Sequence, residues 1–224
     1  MMKSIFESYI DNELGRVSCE ILSDCEFETK LSELSDSTVI KTNSHLCELV
    51  EIKLSNDWVP KGMSFEESKG WLWKIRKIGP AEEKLKLRCV LNPDVEVSSS
   101  PDTGENLDSI EIEGKSKVLH IGTEDPEALY YRAEKSDCMP NRLVNESETR
   151  YALIYTNYLE YGFETEIPEL FENETIYFHY LYAINSIKQS SAHPDELDIS
   201  TWFAVEQRKD FLMREYEGKF TANN

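Results

Sequence analysis

The sequence predicts an α+β fold, mostly antiparallel sheet, with short helices at the N-terminus, mid-chain and C-terminus. Three observations carry that expectation. The run Thr175-Ile-Tyr-Phe-His-Tyr-Leu-Tyr-Ala-Ile184 has no charged side chain and is rich in β-formers, as a strand covered on both faces must be. Apolar and charged residues alternate strictly in Val50-Glu-Ile-Lys-Leu54, the period of a half-exposed strand. Helix punctuation flanks other segments: Asp125-Pro126 is an N-cap followed by proline at N1, and Gly15, Gly162 and Gly218 suit helix stops.

Taken in order, Ser4-Ile-Phe-Glu7 reads as a capping box, and Ile5, Tyr9, Ile10 and Leu14 recur near the helical period, which predicts an amphipathic helix before Gly15. Several β-leaning runs follow between Val17 and Leu54. Trp71–Ile78 and Leu85–Leu91 both alternate, with Gly79-Pro80 between them, and read as a hairpin. That hairpin is basic: seven Lys or Arg against two acids between Lys69 and Arg88. It either meets an anion or pairs with the chain's own acidic half, and the second reading is favoured.

Ser98–Asn106 is composed like a linker or long loop and is the best candidate boundary. The chain is read as a single domain over 1–224, with a candidate subdivision there into a β-rich part, 1–97, and an acidic part, 107–224. Ser109–Glu113 and Lys117–Ile121, joined by Gly114-Lys115, predict a second hairpin. A helix is expected from Asp125 to about Lys135. Tyr151, Ile154, Tyr155, Tyr158 and Leu159 fit a helical stripe over 148–161, although Tyr151, Leu153, Tyr155 and Leu159 also alternate as a strand would. Ile199–Val205 reads as a short strand antiparallel to Thr175–Ile184, and Val205–Glu217 as a last helix, with Thr221–Asn224 fraying.

Composition bounds function. At 224 residues, 40% hydrophobic and 11% aromatic, the chain can bury a large core and is not disordered. A net charge of -19 repels nucleic-acid phosphates and anionic membranes and attracts basic proteins, so a basic protein partner is expected, with no direct nucleic acid and no membrane. The N-terminus lacks the apolar stretch of a secretion signal, which points to a cytoplasmic protein. Cys19, Cys25, Cys47, Cys89 and Cys138 are scattered and odd in number, as free thiols are.

No phosphate-binding glycine loop, nucleophile elbow or H-E-x-x-H pattern occurs, so no catalytic residue, cofactor or metal is assigned. His120 and His179 sit on expected strands where folding can bring them together, and a carboxylate such as Glu111 or Glu174 would complete a metal set, but satisfied histidines are far commoner. The one distinctive surface is acidic. Glu160, Glu164, Glu166, Glu169, Glu172 and Glu174 stand within fifteen residues without a Lys or Arg. Tyr158 and Tyr161 stand beside them. Such a run is usually a solvated face; as a docking surface, Tyr158, Glu160, Tyr161, Glu164, Glu166, Glu169 and Glu172 would meet the partner. The function expected is an acidic binding or inhibitor protein of the immunity type, neutralising a basic toxin or nucleic-acid-handling enzyme. A metal- or His/Glu-dependent hydrolase and a subunit of a larger assembly stand as alternatives.

Overall fold

The computed structural model describes residues 2–25, 30–33, 37–54, 56, 59–135, 139–145, 149–190 and 196–221. Cys138, His193 and the final residues expected to fray, 222–224, lie outside the described residues. In chain order the first strands are β1 (Lys3–Asn12), β2 (Gly15–Ser23), β3 (Lys30–Glu33), β4 (Thr38–Lys41), β5 (His45–Lys53), β6 (Glu67–Lys77) and β7 (Leu85–Pro93). Next come β8 (Ser98–Pro101), β9 (Leu107–Glu113), β10 (Lys117–Glu124) and helices α1 (Pro126–Glu134) and α2 (Arg142–Asn145). Strands β11 (Thr156–Leu159), β12 (Gly162–Glu166) and β13 (Thr175–Ser186) precede helix α3 (Ser200–Thr221).

All strand pairs are antiparallel, in two sheets. One sheet runs β1-β2-β7-β12-β11 and the other β3-β4-β5-β6-β13-β10-β9-β8. The described residues hold thirteen strands and three helices, none of them N-terminal, so the fold is a two-sheet antiparallel architecture rather than the α+β arrangement read from the sequence. No described helix is long and apolar enough to cross a membrane.

The N-terminal helix is the first correction. Residues 3–12 are a strand, paired with β2 from Lys3↔Ser23 to Asn12↔Gly15. Phe6, Ser8 and Ile10 turn inward while Glu7, Tyr9 and Asp11 face out, a period of two that the capping pattern at Ser4 and Glu7 masked. Asn12 Oδ1 accepts from Leu14 N at 2.8 Å, and Gly15 opens β2 with φ 140°, so this glycine makes a hairpin turn rather than a helix stop.

Two further elements change type. The segment 148–161 holds no helix among its described residues; only Thr156–Leu159 is regular, and it is a strand paired with β12. Ile199–Val205 is not a strand but the approach to and first turns of α3, because Asp198 Oδ1 accepts from Ser200 N at 2.9 Å and caps the helix. The segment 98–106, linker-like in composition, contains the edge strand β8, paired with β9. Alternation was read correctly in β6 and β7, but they are not a hairpin: β6 lies between β5 and β13, and β7 between β2 and β12. The Gly79-Pro80 connection therefore crosses from one sheet to the other.

The last helix is present, but Gly218 does not stop it, since α3 continues through this glycine to Thr221. Three local expectations hold. Asp125 Oδ1 accepts from Ala128 N at 2.8 Å and Pro126 opens α1, which ends at the expected Lys135. β9 and β10 form the second hairpin. β13 is the strand covered on both faces. Ile176, Phe178, Tyr180, Tyr182 and Ile184 enter the core between the sheets, against Trp71, Trp73 and Ile75 of β6 and Val17, Cys19, Ile21, Leu87 and Cys89 of the opposite sheet. Tyr177, Leu181 and Ala183 face the other way and pack with Leu107 against Ala204, Val205 and Leu212 of α3. Trp73 Nε1 donates to Cys19 Sγ at 3.2 Å across the sandwich, so a buried indole N–H is satisfied without breaking the core.

Candidate functional site

The acidic run does not form one continuous patch, because β12 pulls its middle into the sheet. Glu164 lies opposite Arg88 in the β12–β7 register. Lys86 Nζ donates to Glu164 Oε1 at 2.7 Å and Arg88 Nη2 to Oε2 at 2.6 Å, and Lys86 also lies 2.9 Å from Glu166. Burial pushes the Glu164 carboxyl up, but its bonds to Lys86 and Arg88 outweigh this and hold it below the ordinary glutamate range. Part of the basic segment is thus bound to the chain's own acids, as its charge asymmetry suggested. Glu174 is likewise engaged, by Arg142 at 2.9 Å.

At the turn end of the β11–β12 hairpin, Tyr158 donates to Asp108 Oδ1 at 2.9 Å, which ties the hairpin to β9 of the other sheet. Burial and the neighbouring Asp108 carboxylate push its phenol upward. The neighbouring Glu160 carboxylate pushes the Tyr161 phenol up, and the Glu160 carbonyl accepts from Ser99 Oγ at 2.5 Å. At the opposite end, Glu166, Glu169 and Glu172 are exposed. Among the described residues no lysine or arginine pairs with the carboxylate of Glu169 or Glu172, although the Arg142 guanidinium donates to the Glu169 backbone carbonyl. The seven residues singled out in the sequence therefore divide into Tyr158, Glu160 and Tyr161 at one end, Glu164 in the sheet, and Glu166, Glu169 and Glu172 at the other.

This second end borders a cleft of about 810 Å³. It is lined by the loop after β12 (Glu166, Ile167, Pro168, Glu169, Leu170), the β6–β7 crossover (Pro80, Glu82, Glu83, Lys84), Asp24, His45, Lys77 and Lys86. Five carboxylates thus face it against three lysines. Lys86 is held by Glu164 and Glu166, and Lys77 Nζ donates to the Ala81 carbonyl at 2.7 Å. Glu83 is buried and accepts from Thr42 Oγ1 (2.7 Å), Ser44 Oγ (2.5 Å) and Ser23 Oγ (3.0 Å), with His45 Nδ1 at 3.0 Å. Burial raises its carboxyl, and these bonds together bring it down below the ordinary range.

Ser44, His45 and Glu83 contain the residue types of a nucleophilic relay, but not its arrangement. Ser44 Oγ and Glu83 Oε2 both stand 3.0 Å from the same ring nitrogen, Nδ1, whereas a relay places the base between nucleophile and carboxylate through opposite nitrogens. The cluster is a satisfied buried anion that anchors the crossover between the sheets.

The two strand histidines do not meet. His179 lies opposite Leu72 of β6, with Tyr177 OH at 3.0 Å and Glu124 at 3.7 Å from Nδ1, beside the buried Glu124–Arg132 pair. His120 instead contacts Glu111, its cross-strand partner, Asp102, and Thr201 of α3. The Glu111 contact follows from the β9–β10 register and was legible in the sequence. Asp102, Thr201, Ser44 and Glu83 were not, because each reaches its place through a loop or a chain reversal that residue periodicity does not encode. Comparison of the chain with models of protein families, with curated proteins and with solved structures returns no match.

Proposed function

We propose that the chain is an acidic binding protein that neutralises a basic partner protein, and that it docks that partner at the cleft end of the sandwich. The observation that supports this reading is the composition of the cleft rim. Glu166 and Glu169 share it with Asp24 and Glu82, interleaved with Ile167, Pro168 and Leu170. A lysine or arginine side chain needs this combination, apolar surface along its stem and carboxylates at its head. Phe171 is 55% exposed beside the rim, with the Arg142 guanidinium 3.8 Å from its ring centroid, and adds rigid contact area. Lys86, Arg88 and Arg142 are bound to Glu164 and Glu174, and with a net charge of -19 the field that reaches solvent is negative on balance.

The reading is tested by capture from cells that make the protein, comparing wild type with the variant Glu166→Lys, Glu169→Lys, Glu172→Lys. Glu164 is left intact because the sheet uses it. Basic proteins retained by the wild type and lost from a variant of unchanged melting temperature support the reading; the same set retained by both contradicts it.

A further inference from the structure

The face of the large sheet that α3 covers carries a second convergence of ligating groups, independent of the docking cleft. The β9–β10 register sets Glu111 directly opposite His120. Asp102, just past β8, is brought to the same place and fixed by its backbone N–H, which donates to the Ser109 carbonyl at 2.9 Å. The His120 side chain is 2% exposed, with Nδ1 3.0 Å from Thr201 Oγ1 of α3. Its other nitrogen, Nε2, stands 2.9 Å from Asp102 Oδ2 and 3.6 Å from Glu111 Oε2.

Charge balance at this point is incomplete. The ring offers one N–H at Nε2, which serves one carboxylate, and even an imidazolium brings one positive charge against two negative ones. Among the described residues neither Asp102 nor Glu111 pairs with a lysine or arginine, in a chain whose net charge is already -19. A cation in place of the Nε2 proton would serve all three groups. The spacing is near what an ion needs: two ligands about 2.1 Å from a common ion stand about 3.0–3.4 Å apart at octahedral or tetrahedral angles, which the Asp102 separation of 2.9 Å nearly meets and to which Glu111, at 3.6 Å and half-exposed, has to close in. The three ligand atoms all lie within 4.8 Å of one another.

We propose that Asp102, Glu111 and His120 bind one divalent transition-metal ion, with Zn²⁺ as the best match to one imidazole and two carboxylates. An imidazole ligand disfavours Mg²⁺ and Ca²⁺, which take oxygen donors. Thr201 completes the arrangement: with Nδ1–H donating to its hydroxyl oxygen, the lone pair of Nε2 faces the two carboxylates, the tautomer a metal requires. The Asp102 and Glu111 side chains are 42% and 38% exposed, so the ion enters from solvent and keeps positions open to it. Three protein ligands with open positions describe an exchangeable site rather than a closed structural one.

The test is calorimetric titration of the chelator-treated full chain with Zn²⁺ in a millimolar Mg²⁺ background, which occupies loose sites on the acidic surface. One equivalent is expected to bind in the micromolar range, and Asp102→Asn and Glu111→Gln, both at half-exposed positions, to weaken it by about tenfold or more. The same titration followed by NMR is expected to shift the His120 ring nitrogens, which locates the ion whether or not a variant folds. Absence of a saturable equivalent, equal affinity in folded variants, or unmoved His120 nitrogens would each overturn the proposal.

Discussion

Glu164 illustrates what a single side chain decides here. It lies in a strand that could present it to a partner, yet two cations of the neighbouring strand hold it with bonds of 2.7 and 2.6 Å. Glu164→Gln loses charge-assisted bonds at a mostly buried position and is expected to destabilise the protein by about 1–2 kcal/mol, measured by urea unfolding at pH 7. The effect should depend on pH in one direction. The folded carboxyl titrates below its unfolded value of about 4.3, so its contribution is fully present above about pH 5 and is lost as pH falls through the folded value. The gap between wild type and variant should therefore close in acid. A gap constant from pH 7 to pH 3 would show that the charge on Glu164 does not matter.

At the scale of elements, strand β13 and helix α3 hold the outer layer together, and each supplies a prediction. Phe178 is 1% exposed in the core between the sheets, so Phe178→Ala is expected to cost about 3–5 kcal/mol, read as a large fall in the urea midpoint. Gly122 of β10 lies directly under α3, and a Cβ there would fall 2.2 Å from Val205 Cγ1. Gly122→Ala must push the helix away and is expected to cost about 1–3 kcal/mol; an unchanged midpoint would mean that α3 is not seated on the sheet. Legibility followed the same division. β13, β5, the β9–β10 hairpin and the capped start of α1 were readable because their determinants are local: an uncharged β-rich run, a strict alternation, an Asp-Pro cap. The N-terminal segment misled because Ser4, Glu7, Ile5 and Tyr9 satisfy a helical template, while the strand they form is selected by β2 alongside them. Ile199–Val205 misled for the converse reason, since a β-leaning run leads into a helix of 22 residues and supplies its first turns. Nothing local distinguishes a β6–β7 hairpin from a crossover between sheets, and that crossover is what places Glu82 and Glu83 in the cleft.

For the whole molecule, charge is the dominant property, and the fold sorts it. Buried or half-buried acids such as Glu83, Glu124, Glu164 and Glu174 are matched to hydroxyl, histidine, lysine or arginine partners, while the Glu169 and Glu172 carboxylates face solvent at the cleft end. Charges of that kind act over a Debye length of about 8–10 Å at physiological salt and chiefly raise the rate of encounter. The most direct measurement is the association rate with the captured basic partner, at low and at physiological ionic strength, for wild type and for Glu166→Lys, Glu169→Lys, Glu172→Lys. Docking at the cleft predicts an on-rate for the variant lower by about tenfold or more at low salt, with the difference shrinking as salt rises. Equal on-rates at low salt would contradict it and reduce the acidic rim to a solvated face.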